Sequence, residues 1–257
     1  MNRICVILFL LVSTVTFGQT SEKYNSEYAE FYKAEDLYEK EQYGSAKKEF
    51  RAFIDELGEP NNPMQIKARY YEAMSALMLY NNDALKLLQD FITDYPETIY
   101  KKRIYFELGR FYYRKKKYDD ALVWFNKLTI QDIEPEDRDE FYFKVGYSYF
   151  KEERFTEARN TFHEIKDGDS QYASPALYYY SHIAYQNKEY QLALDGFLKL
   201  QDDPNFGKVV PYYIAQIYYL QGNYEAVTEF APKITDKGGV VNKKDINHLI
   251  GDAYYRV

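Results

Sequence analysis

Chemistry in this chain would have to be built from three histidines, one cysteine and a few clustered carboxylates. His163, His182 and His248 stand far apart, and no HExxH, GxSxG, phosphate-loop or dinucleotide-binding pattern accompanies them. The densest carboxylates, Glu134-Pro135-Glu136-Asp137, fall in a stretch read as a loop. There a solvated turn is favoured over a general acid/base pair or a calcium site. Cys5 lies at the front of an apolar run and not after a small residue at its end, so it does not resemble a lipid-attachment cysteine. The residues therefore point to no catalytic group, no metal site and no cofactor.

Charge and ring content are the stronger features. Arg103, Arg110 and Arg114 lie beside Lys101, Lys102 and Lys115 to Lys117, against a net charge of −7. This cluster could clamp an acidic segment or a C-terminal carboxylate. The plainer reading is a solvated helix end, whose lysines favour the negative pole of the helix dipole, and it is preferred here. An acidic balance argues against nucleic-acid binding, which needs a basic footprint. The 30 Tyr and 17 Phe, against 12 Gly and one Trp, indicate broad helical interfaces and not a disordered coil. A mean hydropathy of −0.61 rules out a protein with many membrane spans.

These rings recur with a period. The clearest copy reads Tyr105, Leu108, Gly109, Tyr112, Tyr118, Ala121, Phe125, Leu128. It is followed by Tyr142, Val145, Gly146, Tyr149, Phe155, Ala158, Phe162, Ile165. A first small position falls at Ala34, Ala73, Gly109, Gly146, Ser181, Ala215 and Gly251, in steps of 39, 36, 37, 35, 34 and 36 residues. A second falls at Ala46, Ala84, Ala121, Ala158 and Ala193. Apolar residues three and four apart make one helix face, so each copy is two helices joined at turn-prone stretches such as Gln221-Gly222-Asn223. The small positions let the two helices approach, and Gly109 and Gly146 are expected where any side chain would clash. One hairpin cannot bury its own apolar face, so the copies must stack. Ser174-Pro175 is read as a helix N-cap followed by a first-turn proline.

The expected organisation is a signal peptide over 1–18, a short extension over 19–26 and one continuous array over 27–257. The repeats are placed at 27–60, 65–97, 102–135, 139–172, 174–207 and 208–241, with an incomplete copy at 244–257. Arg3, nine apolar residues from Ile4 to Val12 and the segment Thr16-Phe17-Gly18 form the signal pattern. Nine apolar residues are too few to span a bilayer. Cleavage would remove the only cysteine and bring the net charge of −7 to about −8, since Arg3 is the only charge lost. The mature chain would have no transmembrane segment, no disulfide and no lipid anchor.

The spacing resembles the tetratricopeptide repeat family, whose unit of about 34 residues carries small residues at its eighth and twentieth positions. This chain departs from the family at position four, where Trp is replaced. It departs also at Val227 where Ala is usual, and in a second repeat one residue short between helices. The stretch from Phe91 to Tyr100 resembles a junction in BamD-like envelope proteins, the repeat-built subunits of outer-membrane β-barrel assembly. Tyr172 to Tyr185 and Phe206 to Leu220 resemble long periplasmic repeat proteins of Bacteroidota, and the signal-peptide ending points the same way. An unlipidated N-terminus argues against a BamD orthologue.

The resemblance implies an all-α, right-handed superhelical solenoid of antiparallel helix pairs, about six and a half repeats long. It also implies that the fifth, ninth and twelfth positions of each first helix line a concave groove. The fifth positions are Phe31, Tyr70, Phe106, Phe143, Tyr178, Tyr212 and His248. The twelfth are Tyr38, Leu77, Tyr113, Phe150, Tyr185, Tyr219 and Tyr255. Of these, Phe31, Tyr38, Tyr70, Phe106, Tyr113, Phe143, Phe150, Tyr178, Tyr185, Tyr212 and Tyr219, together with Arg110 and Arg114, are the candidate binding residues. Two readings stay open: the rings grip a peptide, or they pack between adjacent first helices. The function expected is a non-catalytic scaffold of the bacterial envelope, exported to the periplasm with outer-membrane association allowed, binding an envelope protein or peptide. The alternative is a structural spacer, or the front part of a larger envelope protein whose activity in assembly, secretion or cell-wall binding lies elsewhere. Gly251 to Tyr255 open a hairpin with no second helix, which leads us to expect a longer chain or a partner over that end.

Overall fold

The computed structural model describes residues 26–237 and 241–257. The signal-peptide reading and most of the short extension fall on residues 1–25, outside that range. All regular structure among the described residues is helical. Among the described residues thirteen α-helices form six hairpins and the first helix of a seventh. The hairpins are α1 (Ala29–Glu39) with α2 (Tyr43–Leu57), α3 (Pro63–Met78) with α4 (Ala84–Asp94), and α5 (Lys101–Arg114) with α6 (Tyr118–Phe125). They continue as α7 (Arg138–Lys151) with α8 (Phe155–His163), α9 (Ala173–Gln186) with α10 (Tyr190–Lys199), and α11 (Val210–Leu220) with α12 (Tyr224–Lys237). The last helix is α13 (Lys243–Arg256).

The chain divides into two compact units between Ile104 and Tyr105, within α5. In the first unit one core cluster is Phe31, Ala34, Ala46, Phe50, Phe53, Ile54 and Ala68. In the second, successive clusters form around Phe106 and Phe125, around Ala158 and Phe162, around Ala193 and Phe197, and around Ala215 and Val227. Among the described residues no helix is long and apolar enough to cross a membrane.

Local sequence explains the helix ends. Asn62 caps α3, its side chain accepting a hydrogen bond from the Met64 amide at 2.9 Å, with Pro63 as the first helical residue. Glu134-Pro135-Glu136-Asp137 forms a 3-10 turn leading into α7, with both glutamates exposed. The expected cap at Ser174 is not used. Helix α9 already begins at Ala173, and the Ser174 hydroxyl hydrogen-bonds Asp203 instead. Pro175 is tolerated because the first-turn amides lack intrahelical partners in any case.

Every first helix of a complete hairpin ends the same way. The amide of the sixteenth position reaches back five residues, as in Gln42 to Leu37 at 2.9 Å, Lys117 to Tyr112 at 3.0 Å and Glu189 to Ala184 at 2.9 Å. The residue before it then takes a positive φ: Glu41, Tyr80, Lys116, Glu153, Lys188 and Gly222. This is the Schellman stop, for which glycine is the unstrained residue, and a side chain there costs about 1–2 kcal/mol. Only Gly222 meets that preference. Lys188 is exposed with φ 61°. Lys188→Gly is therefore expected to raise stability by about 1 kcal/mol, once the larger chain entropy of glycine is set against the relieved strain. Urea unfolding measures it, and a loss of stability would refute the turn assignment.

Candidate interaction surface

The small positions do what close helix approach requires. Ala34, Ala46, Ala73, Ala84, Ala121, Ala158, Ser181, Ala193 and Ala215 are at most 1% exposed, and Gly109 and Gly146 are buried. A Cβ on Gly109 would lie 2.4 Å from the Phe125 ring, and one on Gly146 would lie 2.9 Å from Phe162. Gly109 and Gly146 are thus each roofed by the second helix of their own hairpin. Gly251, on α13, is exposed.

The fifth-position rings divide into two groups. Phe31, Tyr70 and Phe106 are buried. Phe31 packs on Phe50 at 5.6 Å, Tyr70 stacks on Tyr100 at 4.1 Å, and Phe106 faces Phe125 and Phe141. The reading of these three as groove residues is corrected: their rings sit in the core, where a partner cannot reach them. Phe143, Tyr178 and Tyr212 are half-buried, while His248 is exposed. Phe143 packs among Tyr147, Phe162 and Tyr172, and Tyr178 stacks on Phe206 at 4.7 Å.

In the second unit the twelfth positions obey a rule that the sequence reading had not drawn out. Each meets the ninth position of the next hairpin. Tyr113 lies 5.8 Å from Tyr147, Phe150 lies 5.9 Å from His182, the Tyr185 hydroxyl donates to Gln216 at 2.8 Å, and Tyr219 donates to Asp252. The ladder therefore holds neighbouring first helices together, as the packing reading expected. Its rings are only half-buried, so an edge of each still reaches the surface. Gln216 in turn donates to the Tyr212 hydroxyl at 2.7 Å. In the first unit Tyr38 is half-buried against Tyr43 and Tyr71, while Leu77 is fully buried. The ninth positions of the second unit carry the same repeat period, and that period is the signal that would have found them.

A second rule joins hairpins through their sixth positions. Phe50 stacks on Tyr71 at 5.4 Å, Phe162 on Tyr179 at 5.6 Å and Phe197 on Tyr213 at 5.0 Å, with interplanar angles of 11° to 18°. Where the sixth position is Lys144, Phe125 instead meets Phe141 edge-on. Lys144 lies over Tyr113 and pairs with Glu140 at 3.1 Å.

The arginine cluster is not a free clamp. Arg110 lies 3.1 Å from the buried carboxylate of Glu107 and 2.8 Å from Glu140, so its charge is spent on its own fold. That corrects its place among the binding residues. A buried carboxylate without such a partner would be costly. Arg114 is exposed in the last turn of α5, where a cation suits the helix dipole.

The titratable groups are tuned by burial. It raises the phenols of Tyr113, Tyr178 and Tyr179 well above their ordinary value, so they stay neutral. His182 stands among Phe150, Tyr178 and Tyr213, its Nδ1 buried with no hydrogen-bond partner, and burial lowers its pKa. Below about pH 6.5 the unfolded chain takes up a proton that the folded site resists, so stability falls on acidification and is retained above that pH. His182→Phe is expected to shrink the stability loss between pH 7.5 and pH 5.5, read from urea midpoints. An equal loss in both proteins would count against it. Among the described residues no three His, Cys, Asp or Glu side chains are grouped to hold a metal ion.

Residues 81–138 match the tetratricopeptide repeat family model. Solved structures extend the likeness over nearly the whole chain. The C-terminal part of a TPR repeat-containing protein from Cytophaga hutchinsonii is similar with a TM-score of 0.59 at 16% identity, over 90% of both chains. A tetratricopeptide repeat protein from Parabacteroides merdae gives 0.53 at 16%, over 88% of this chain and 97% of the other. The apo form of the quorum sensor NprR from B. thuringiensis gives 0.53 at 15%, over 96% and 76%. No curated protein matches. At these identities the likeness establishes the fold: the chain is an all-α array of tetratricopeptide-type repeats.

Proposed function

We propose that this protein is a non-catalytic scaffold that binds another polypeptide on the first-helix face of its second unit. The carrying observation is the run of half-buried rings Tyr113, Phe150, Tyr185 and Tyr219, each anchored by one edge to the next hairpin and open at the other. Anchored aromatics suit binding because their immobilisation cost is already met on folding. Phe143, Tyr178 and Tyr212 extend the same face. Neutral phenols and dispersed histidines support a binding role over an acid–base one.

The proposed setting is the periplasm of a bacterial envelope, supported by the signal-peptide pattern of residues 1–18 and by the BamD-like stretch Phe91 to Tyr100. On that reading the partner is an envelope protein or peptide. Phe143 and Tyr178 are packed too closely for clean alanine tests. Tyr212 and Tyr219 are better placed, because their rings border the surface. Tyr212→Ala and Tyr219→Ala together should lower partner recovery from an envelope extract at least tenfold with helicity unchanged. Undiminished recovery would refute the assigned face.

A further inference from the structure

The first unit carries a cavity that the ring-lined face does not use. It measures about 210 Å³ and lies between α3 and α4, bordered by Arg51 of α2. Arg69 and Glu72 of α3 and Leu87, Asp90 and Asp94 of α4 line it. The third hairpin shows what fills the same place elsewhere. There Tyr105 stands four residues before Gly109 and Trp124 three after Ala121, and the two rings meet at 5.6 Å. In the second hairpin Arg69 stands four residues before Ala73 and Leu87 three after Ala84. A guanidinium and a smaller alkyl group thus replace two rings, and the cavity occupies the difference.

The charges around the cavity do not balance. Arg51 pairs with the buried Glu72 at 2.7 Å, so these two cancel. Arg69 is half-buried, and its Nε is buried with no hydrogen-bond partner. Asp90 and Asp94 are exposed and share one face of α4, being four residues apart. One guanidinium therefore stands against two carboxylates, an excess of one negative charge. We propose that this cavity binds an aromatic ring carrying a single positive charge. The ring takes the place that Tyr105 and Trp124 fill in the third hairpin and stacks on Arg69, as guanidinium planes do on aromatic faces. The cation meets Asp90 and Asp94. An apolar cavity of about 150 Å³ accepts benzene, so about 210 Å³ holds one ring and a short stem. The same chemistry is offered by a free aromatic amine and by an aromatic side chain next to a lysine in a polypeptide.

The test is calorimetric titration of the full chain with tryptamine and with an end-blocked Ala-Trp-Lys-Ala peptide. Saturable binding of one or both is expected, and the tighter of the two tells a free amine from a polypeptide source. Indole-3-propionate, with the same ring and the opposite charge, should bind at least tenfold more weakly than tryptamine. Asp90→Asn with Asp94→Asn should weaken cation binding at least fivefold, and both positions are exposed, so the fold is kept. Leu87→Trp, which restores the ring of the third hairpin, should abolish binding while the urea midpoint read by circular dichroism stays at or above wild type. The proposal is overturned if neither cation binds, if indole-3-propionate binds equally well, or if the paired aspartate changes leave affinity unchanged. Undiminished binding by folded Leu87→Trp would overturn it too.

Discussion

Phe162→Ala is expected to cost the second unit about 3–5 kcal/mol. The ring is fully buried and roofs Gly146, where an ideal Cβ would sit only 2.9 Å away. It also stacks on Tyr179 at 5.6 Å and faces Phe143 at 6.0 Å, so it joins the two helices of one hairpin to the first helix of the next. Removing it takes away the transfer energy of an aromatic ring. It also leaves a cavity beside a glycine, which has no side chain to fill it. Urea unfolding followed through Trp124 in the same unit would show a midpoint well below wild type. A loss under about 1 kcal/mol would mean that the ring is not the junction described here.

Gly196→Ala should also destabilise the second unit, despite alanine's better helix propensity. A Cβ at 196 would fall 1.9 Å from the Ser181 hydroxyl, which is buried without a hydrogen-bond partner. Relieving that overlap requires the Ser181 hydroxyl to leave its place between α9 and α10 and the helices to give slightly around the remaining 3.1 Å contact, at a cost of about 1–3 kcal/mol. The propensity gain of about 1 kcal/mol does not offset it. The overlap belongs to one atom, so Ser181→Ala should rescue the change. With the hydroxyl gone, the nearest Ser181 atom to the new Cβ is its own Cβ at 3.1 Å. Ser181→Ala alone should be neutral or stabilising, since it removes an unpaired buried polar group. A double-mutant cycle tests the pair, with a coupling of at least about 1 kcal/mol expected. Strict additivity would contradict it.

The hairpins were legible because small residues and rings recur at fixed offsets, and close packing at Gly109 and Gly146 leaves no alternative residue there. The turn chemistry was not legible. The left-handed position carries Glu41, Tyr80, Lys116, Glu153 and Lys188, and only Gly222 signals its backbone. Six identical stops are imposed by hairpin geometry, which overrides the local preference of five of those residues. The surface was half legible. Helical spacing placed Phe31 and Phe143 on one face, but it does not say how far a ring sinks between neighbouring helices. Phe31 is walled by Phe50, Phe53 and Tyr71, whereas Phe143 stays half-buried. Arg110 misled for a related reason. Its carboxylate partner Glu140 is thirty residues away on α7, a distance that no periodic count within α5 reveals.

The most direct test of the scaffold reading is photo-cross-linking in the native envelope, followed by mass spectrometry. A photoreactive residue is placed in turn at Tyr212 and Tyr219 on the first-helix face, and at exposed Val123 on a second helix. The account predicts one dominant polypeptide captured from both tyrosine positions and absent from Val123. Equal capture from all three positions, or none from the two tyrosines, would contradict it.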